Sequence, residues 1–140
     1  MRVMNHEIEF NRINPYYALN EVLKLQDAEK IWEFVNILED LADENKFKLN
    51  YEKCSIAMAK TNDLKHNLYW AEVYKQANQP NINCILKSKD AYYNARLVTL
   101  VENLSEAEIA HVAKIVKASK NKEAKKELKE TLGNKQYLDL

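Results

Sequence analysis

The imidazoles, the thiols and the clustered ammonium groups are the side chains of this chain that could do chemistry, and their spacing decides which chemistry. His6, His66 and His111 lie far apart. None has the HxH or HExxH spacing that sets two imidazoles on one helix face, so a metal site would have to be assembled wholly by the fold. Cys54 and Cys84 have no CxxC relation and sit among apolar neighbours. They read as reduced, buried thiols of a cytoplasmic chain rather than a disulfide. No serine or cysteine stands in a context that would activate it as a nucleophile. Arg96 and His111, which could be imagined as a nuclease pair, read better as surface or core-edge residues. The expectation is a non-enzymatic chain with no metal and no cofactor.

Charge is the remaining resource. Wound as a helix, Lys122, Lys125, Lys126 and Lys129 fall within about 100° of arc, while Glu123, Glu127 and Glu130 occupy another. Lys114, Lys117 and Lys120 precede them. Such a stripe can neutralise phosphates, although cations towards a helix C-terminus also serve a solvated helix. No arginine or aromatic residue interleaves the run. Lys114, Lys117, Lys122, Lys125, Lys126 and Lys129 therefore mark a nucleic-acid surface as the second reading. Residues 27–44 carry the opposite sign. There Glu29, Glu33, Asp40, Asp43 and Glu44 form the candidate partner-binding face. The formal charge is +0, from 21 basic and 21 acidic side chains, so the chain has two opposite poles unless the acidic and basic helices pair.

These groups need helices to hold them. The chain has 140 residues, 46% of them hydrophobic and 30% charged, enough for one globular domain. It has one Gly and two Pro, which disfavours strand-and-turn folds and removes most phosphate-cradling loops. No apolar run is long enough to span a membrane, and the first residues lack the apolar core of a secretory signal.

The best-defined element is 27–44, with Asp27 as N-cap and Ala28, Ile31, Phe34, Val35, Leu38, Leu41 and Ala42 on one face. Residues 6–13 suit a short strand or an extended arm. Asn14-Pro15 opens a short helix with Tyr16, Leu19, Val22 and Leu23 on its apolar side. Residues 47–52 alternate like a strand, but Tyr51, Cys54, Ser55, Met58 and Ala59 share a helical face, which favours helix over 51–60. The next helix has Leu64, Leu68, Ala71, Tyr74 and Ala77 on its face, widened by Tyr69, Trp70 and Val73. Pro80 then reads as a stop, with a hinge at 78–83 whose residues have little to bury. Ser88 and Asp90 precede a helix with Tyr93, Leu97, Leu100, Val101 and Leu104 on one side. Ser105 and Glu108 have capping-box spacing. The apolar stripes of 109–116 and 124–132 are rotated by roughly a third of a turn, which requires a helix break near 119–121 and a final helix stopping at Gly133.

Two motif readings fail on spacing. Residues 108–128 resemble a helix-turn-helix, but the turn lies about one helical turn too late and lacks Gly. Residues 69–80 suggest the second helix of a tetratricopeptide unit, yet the offsets do not fit and no self-similarity near the required period of about 34 is visible.

The sequence thus predicts an all-α fold, a compact irregular bundle of five to seven helices in a single domain over 1–140. Its expected function is a small cytoplasmic, non-enzymatic protein that binds another macromolecule through charged helix faces and regulates or inhibits it. Tyr16, Tyr17, Tyr69 and Tyr92 would add contact area. The absence of motifs and the Asn/Lys usage are compatible with a mobile-element protein. The alternative is a nucleic-acid-binding protein using the lysine-rich C-terminal helices.

Overall fold

The computed structural model describes the backbone of residues 15–45 and 48–133, and the side chains of 17–41 and 48–133. The stretch 6–13 lies outside them. Within them the fold is all-α, with eight helices, one 3-10 turn and no strand. The helices are α1 (Pro15–Leu23), α2 (Ala28–Asn45), α3 (Tyr51–Lys60), α4 (Leu64–Val73), α5 (Gln79–Ser88), α6 (Ala91–Leu100), α7 (Glu106–Ala118) and α8 (Lys122–Leu132), with the 3-10 turn at Lys75–Ala77.

Most helix starts follow from their caps. Asp27 accepts from the Lys30 N–H at 3.1 Å, Asn50 from Lys53, Asp63 from His66 and Asp90 from Tyr93. The Asn50 cap and the burial of Cys54, Ser55 and Met58 on one face settle 51–60 as helix. Ser105 and Glu108 form both bonds of their capping box. The break at 119–121 is present: α7 ends at Ala118, and Asn121 caps α8 through the Ala124 N–H at 3.0 Å.

The helix count exceeds the expected five to seven because of α5. Pro80 lies in its first turn, where the missing N–H would have had no intrahelical acceptor. The helix therefore starts where a hinge was expected. Its residues have much to bury: Ile82, Ile85 and Asn81 are fully enclosed.

The packing is also more regular than an irregular bundle. Each helix packs on its neighbours in the chain and on the next-but-one helix. This gives four helical hairpins, α1–α2, α3–α4, α5–α6 and α7–α8, stacked in two layers. The first helices (α1, α3, α5, α7) form one layer and the second helices (α2, α4, α6, α8) the other. Each hairpin leans on the next, the quasi-one-dimensional logic of helical solenoids.

The hairpin corners draw on two recurring devices. Gln26, Asn62 and Lys89 take left-handed backbone with φ of 53°, 57° and 59°, and each is followed by a capping aspartate. Thr61, Ser88 and Ser119 each donate back to the carbonyl three residues earlier, at 2.7, 2.6 and 2.7 Å. Each hydroxyl also accepts from the N–H of the cap two residues on. The hydroxyl thereby ties the end of one helix to the start of the next, satisfying groups that helix termini leave unpaired.

Two cores run along the stack and share α4 as a wall. Trp70 and Tyr74 face a core built with α1, α2 and α3, while Leu68 and Ala71 face one built with α5 to α8. The acidic α2 lies in the first core and the lysine-rich α8 in the second, so the two charged helices do not serve as each other's packing partners.

Candidate functional site

The hairpin corners set the site. Stacked hairpins bring the C-terminal ends of α1, α3, α5 and α7 to one edge of the molecule. Lys24, Lys60 and Lys87 occupy the same place there, each just before the corner of its hairpin. Favourable interaction of cations with a helix C-terminus explains each lysine locally. The stack turns them into a row.

Three grooves lie between successive helices of this layer. The first, about 530 Å³ between α1 and α3, is lined by Lys24, Lys53 and Lys60 over Leu23, Ile56 and Ala57. The second, about 350 Å³ between α3 and α5, shares Lys60 and adds Lys87 and Cys84. The third, about 750 Å³ between α5 and α7, places Lys87, Lys89, Lys114 and His111 around Leu86, Ile115 and Ala118. No carboxylate lines any of the three. In a chain whose acids and bases balance, this is a strongly segregated surface.

The lysines of these grooves are exposed. Among them Lys24 has an ion pair, with Glu21 at 3.7 Å, and Lys53 is hydrogen-bonded to Asn20. His111 meets the Leu86 carbonyl at 3.2 Å through Nε2. Burial pushes the Cys84 thiol up, with nearby Lys87 opposing the shift, which favours the thiol over the thiolate. Cys54 is fully buried, and burial raises its thiol to about 11.

The expected site residues divide. Lys114 and Lys117 are exposed on α7, and Lys114 joins the groove with Lys87 and Lys89. Lys122, Lys126 and Lys129 are exposed along α8 in the other layer, with Lys125 half-buried. The six thus lie on helices of both layers. Glu29, Glu33 and Asp40 are exposed on α2. The side chains of Asp43 and Glu44 fall outside the described ones, as does that of Tyr16. Tyr17, Tyr69 and Tyr92 are exposed.

Arg96 pairs with Glu127 at 2.9 Å, linking α6 to α8, while His111 faces α5. His66 is held by its own cap, Asp63. Among the described residues no group of three His, Cys, Asp or Glu side chains is placed to hold a metal ion, and no helix is long and apolar enough to cross a membrane.

No protein-family model, curated protein or solved structure matches this chain. Sequence reasoning missed the row Lys24, Lys60 and Lys87. Its signal is the residue preceding each Thr/Ser/Leu-x-Asp corner, legible only once the corners are recognised as equivalent.

Proposed function

We propose that this chain is a non-enzymatic helical-repeat binding module. It holds an acidic, amphipathic segment of another protein across the lysine-lined layer, and regulates or inhibits that protein by occupying the segment. The observation that supports this reading is the run of three adjoining grooves lined by lysines over apolar floors, without a carboxylate among them.

Magnitudes favour protein over nucleic acid. Exposed ion pairs contribute about 0–1 kcal/mol each, whereas burying one leucine-sized side chain contributes about 1.5–3 kcal/mol. A partner with apolar anchors between its carboxylates would use Leu23, Ile56, Leu86 and Ile115 as well as the lysines. A polynucleotide would use the charges and leave those floors uncovered.

The test is fluorescence anisotropy with two labelled probes of equal negative charge, an acidic peptide carrying leucines at helical spacing and a DNA duplex, each at low and moderate salt. The expected result is tighter peptide binding, weakened about tenfold or more in Lys60→Glu/Lys87→Glu. Tighter duplex binding with a steep salt dependence would move the function to the nucleic-acid alternative. No binding of either probe at low salt would remove both.

A further inference from the structure

The opposite layer carries a different surface. The apolar face expected of α4 included Tyr69, Trp70 and Val73, but only Trp70 is enclosed. Val73 is 55% exposed and Tyr69 42%. Trp32 on α2 is partly exposed and lies 6.5 Å from Tyr69, ring centre to ring centre. Together the three make an aromatic and aliphatic patch where α2 meets α4, on a layer the lysine grooves do not reach.

The patch is rigidly backed. Trp32 meets Trp70 at 6.0 Å and Tyr74 at 6.1 Å, both edge-on. The Tyr74 hydroxyl donates to Glu39 at 2.7 Å, and Tyr51 donates to the same carboxylate at 2.9 Å. Burial and the Glu39 carboxylate both push the Tyr74 phenol well above its ordinary range, so this anchor stays a neutral donor. A surface held this way loses little freedom when a partner covers it.

Carboxylates border the patch. Glu29 stands one turn before Trp32, Glu33 follows Trp32, and Glu72 lies one turn after Tyr69. Among the described residues none of the three has an ion pair. The cations on the same two helices are Lys30 and Lys65. Exposed aromatic side chains beside carboxylates favour guanidinium and ammonium groups, through cation–π attraction and charge together.

We infer that Trp32, Tyr69 and Val73 form a second docking site, which takes an arginine- or lysine-bearing segment of a protein. Val73 and Trp32 contact that segment's aliphatic carbons, and Glu29, Glu33 and Glu72 meet its charges. With the lysine grooves on the opposite layer, the molecule is built to bridge an acidic and a basic partner. The second site does not depend on the first.

The probe is a labelled amphipathic peptide with arginines along one side and leucines along the other, titrated into the full chain at low salt. Anisotropy and intrinsic fluorescence are read together, because Trp70 is enclosed and Trp32 is the tryptophan that a ligand can reach. Saturable binding with a tryptophan signal is expected. It should weaken about tenfold in Tyr69→Ala and in Glu29→Lys/Glu33→Lys, and stay unchanged in Lys60→Glu/Lys87→Glu. Trp32→Phe should abolish most of the fluorescence change while the anisotropy curve survives. Circular dichroism checks that each variant is folded.

Equal binding by Tyr69→Ala and the parent would overturn the site, as would a signal that Glu29→Lys/Glu33→Lys leaves intact. Salt-sensitive self-association reversed by Lys60→Glu/Lys87→Glu would also overturn it, by making the occupant a second copy's lysine layer.

Discussion

Asn67 and Asn94 do the same work in successive hairpins. The Asn67 Nδ2 donates to the carbonyls of Met58 at 3.1 Å and Asp63 at 2.8 Å. The Asn94 Nδ2 donates to Ile85 at 3.1 Å and Asp90 at 2.8 Å. Each is fully buried four residues after its capping aspartate. Each amide bridges the last turn of one helix and the cap of the next, so the hairpin angle is fixed from inside as well as by the corner hydroxyl.

Removing either amide should be costly. Asn94→Ala deletes both bonds and leaves the Ile85 carbonyl with the Ser88 hydroxyl alone, which should cost about 1–3 kcal/mol. Asn67→Ala should cost more, because Asn67 Oδ1 also accepts from Asn81 at 2.8 Å. The two losses share no partner and should add in the double variant to within about 0.5 kcal/mol. Urea denaturation of the three variants measures all of this. A strongly sub-additive double variant would mean that the hairpins are coupled through more than packing.

The corner aspartate should make stability fall in acid. Burial tends to raise the Asp63 carboxyl, but bonds from the His66 N–H and the His66 ring outweigh it and leave it below its ordinary value of 3.8. Glu108 is likewise held below 4.5 by the Ser105 N–H and Gln79, against the effect of burial. A depressed folded value means the unfolded chain binds the proton more tightly. The contribution is therefore complete above about pH 5 and is lost as pH falls through the folded values. Asp63→Asn keeps an N-cap acceptor and removes the titration. Its stability should decline less steeply than the parent's below about pH 4.5, as denaturant midpoints across pH would show.

The corners also explain what the sequence disclosed and what it hid. Amphipathic spacing revealed α2, the Ser105–Glu108 box marked the start of α7, and the rotated stripes of Ile109–Val116 and Ala124–Leu132 located the break before Asn121. Those signals are local. The hairpin repeat is carried by small polar residues, Thr61, Ser88 and Ser119, and by buried Asn67 and Asn94, whose value appears only when a neighbouring helix supplies carbonyls. The separations between corners are unequal, so no fixed period shows. The helix α5 was hidden because Pro80 reads as a stop when placed after a helix and as a start when placed before one. The lysine row needed the stack: Lys24, Lys60 and Lys87 are distant along the chain and adjacent only through the hairpin topology.

The bond between Trp70 and Ser55 should be sensitive to one atom. The Trp70 Nε1–H donates to Ser55 Oγ at 2.7 Å, and both residues are fully enclosed. Ser55→Ala keeps the volume nearly constant and leaves a buried indole N–H without its acceptor, at a cost of about 1–3 kcal/mol. Ser55→Thr keeps the hydroxyl but crowds the site, which should cost about 1–3 kcal/mol by overpacking instead. The two are separable by fluorescence. Loss of the indole bond should change Trp70 emission in Ser55→Ala and not in Ser55→Thr, while thermal melts report stability in both.

Lys89 separates stability from binding in a single position. Its φ of 59° and ψ of 15° place it in left-handed backbone, where asparagine is more at ease than lysine. The Lys89→Asn variant should therefore match or exceed the parent in stability, by up to about 1 kcal/mol. The same change removes one of the three lysines around the groove between α5 and α7. Binding of the acidic peptide should weaken by a few-fold, the loss of about one exposed ion pair. Lys114→Gln, on regular helix across that groove, should weaken binding similarly with no gain in stability. If Lys89→Asn were more stable and bound the acidic peptide unchanged, the lysine would be a tolerated strain at the corner and the groove's anion site would lie elsewhere along the row.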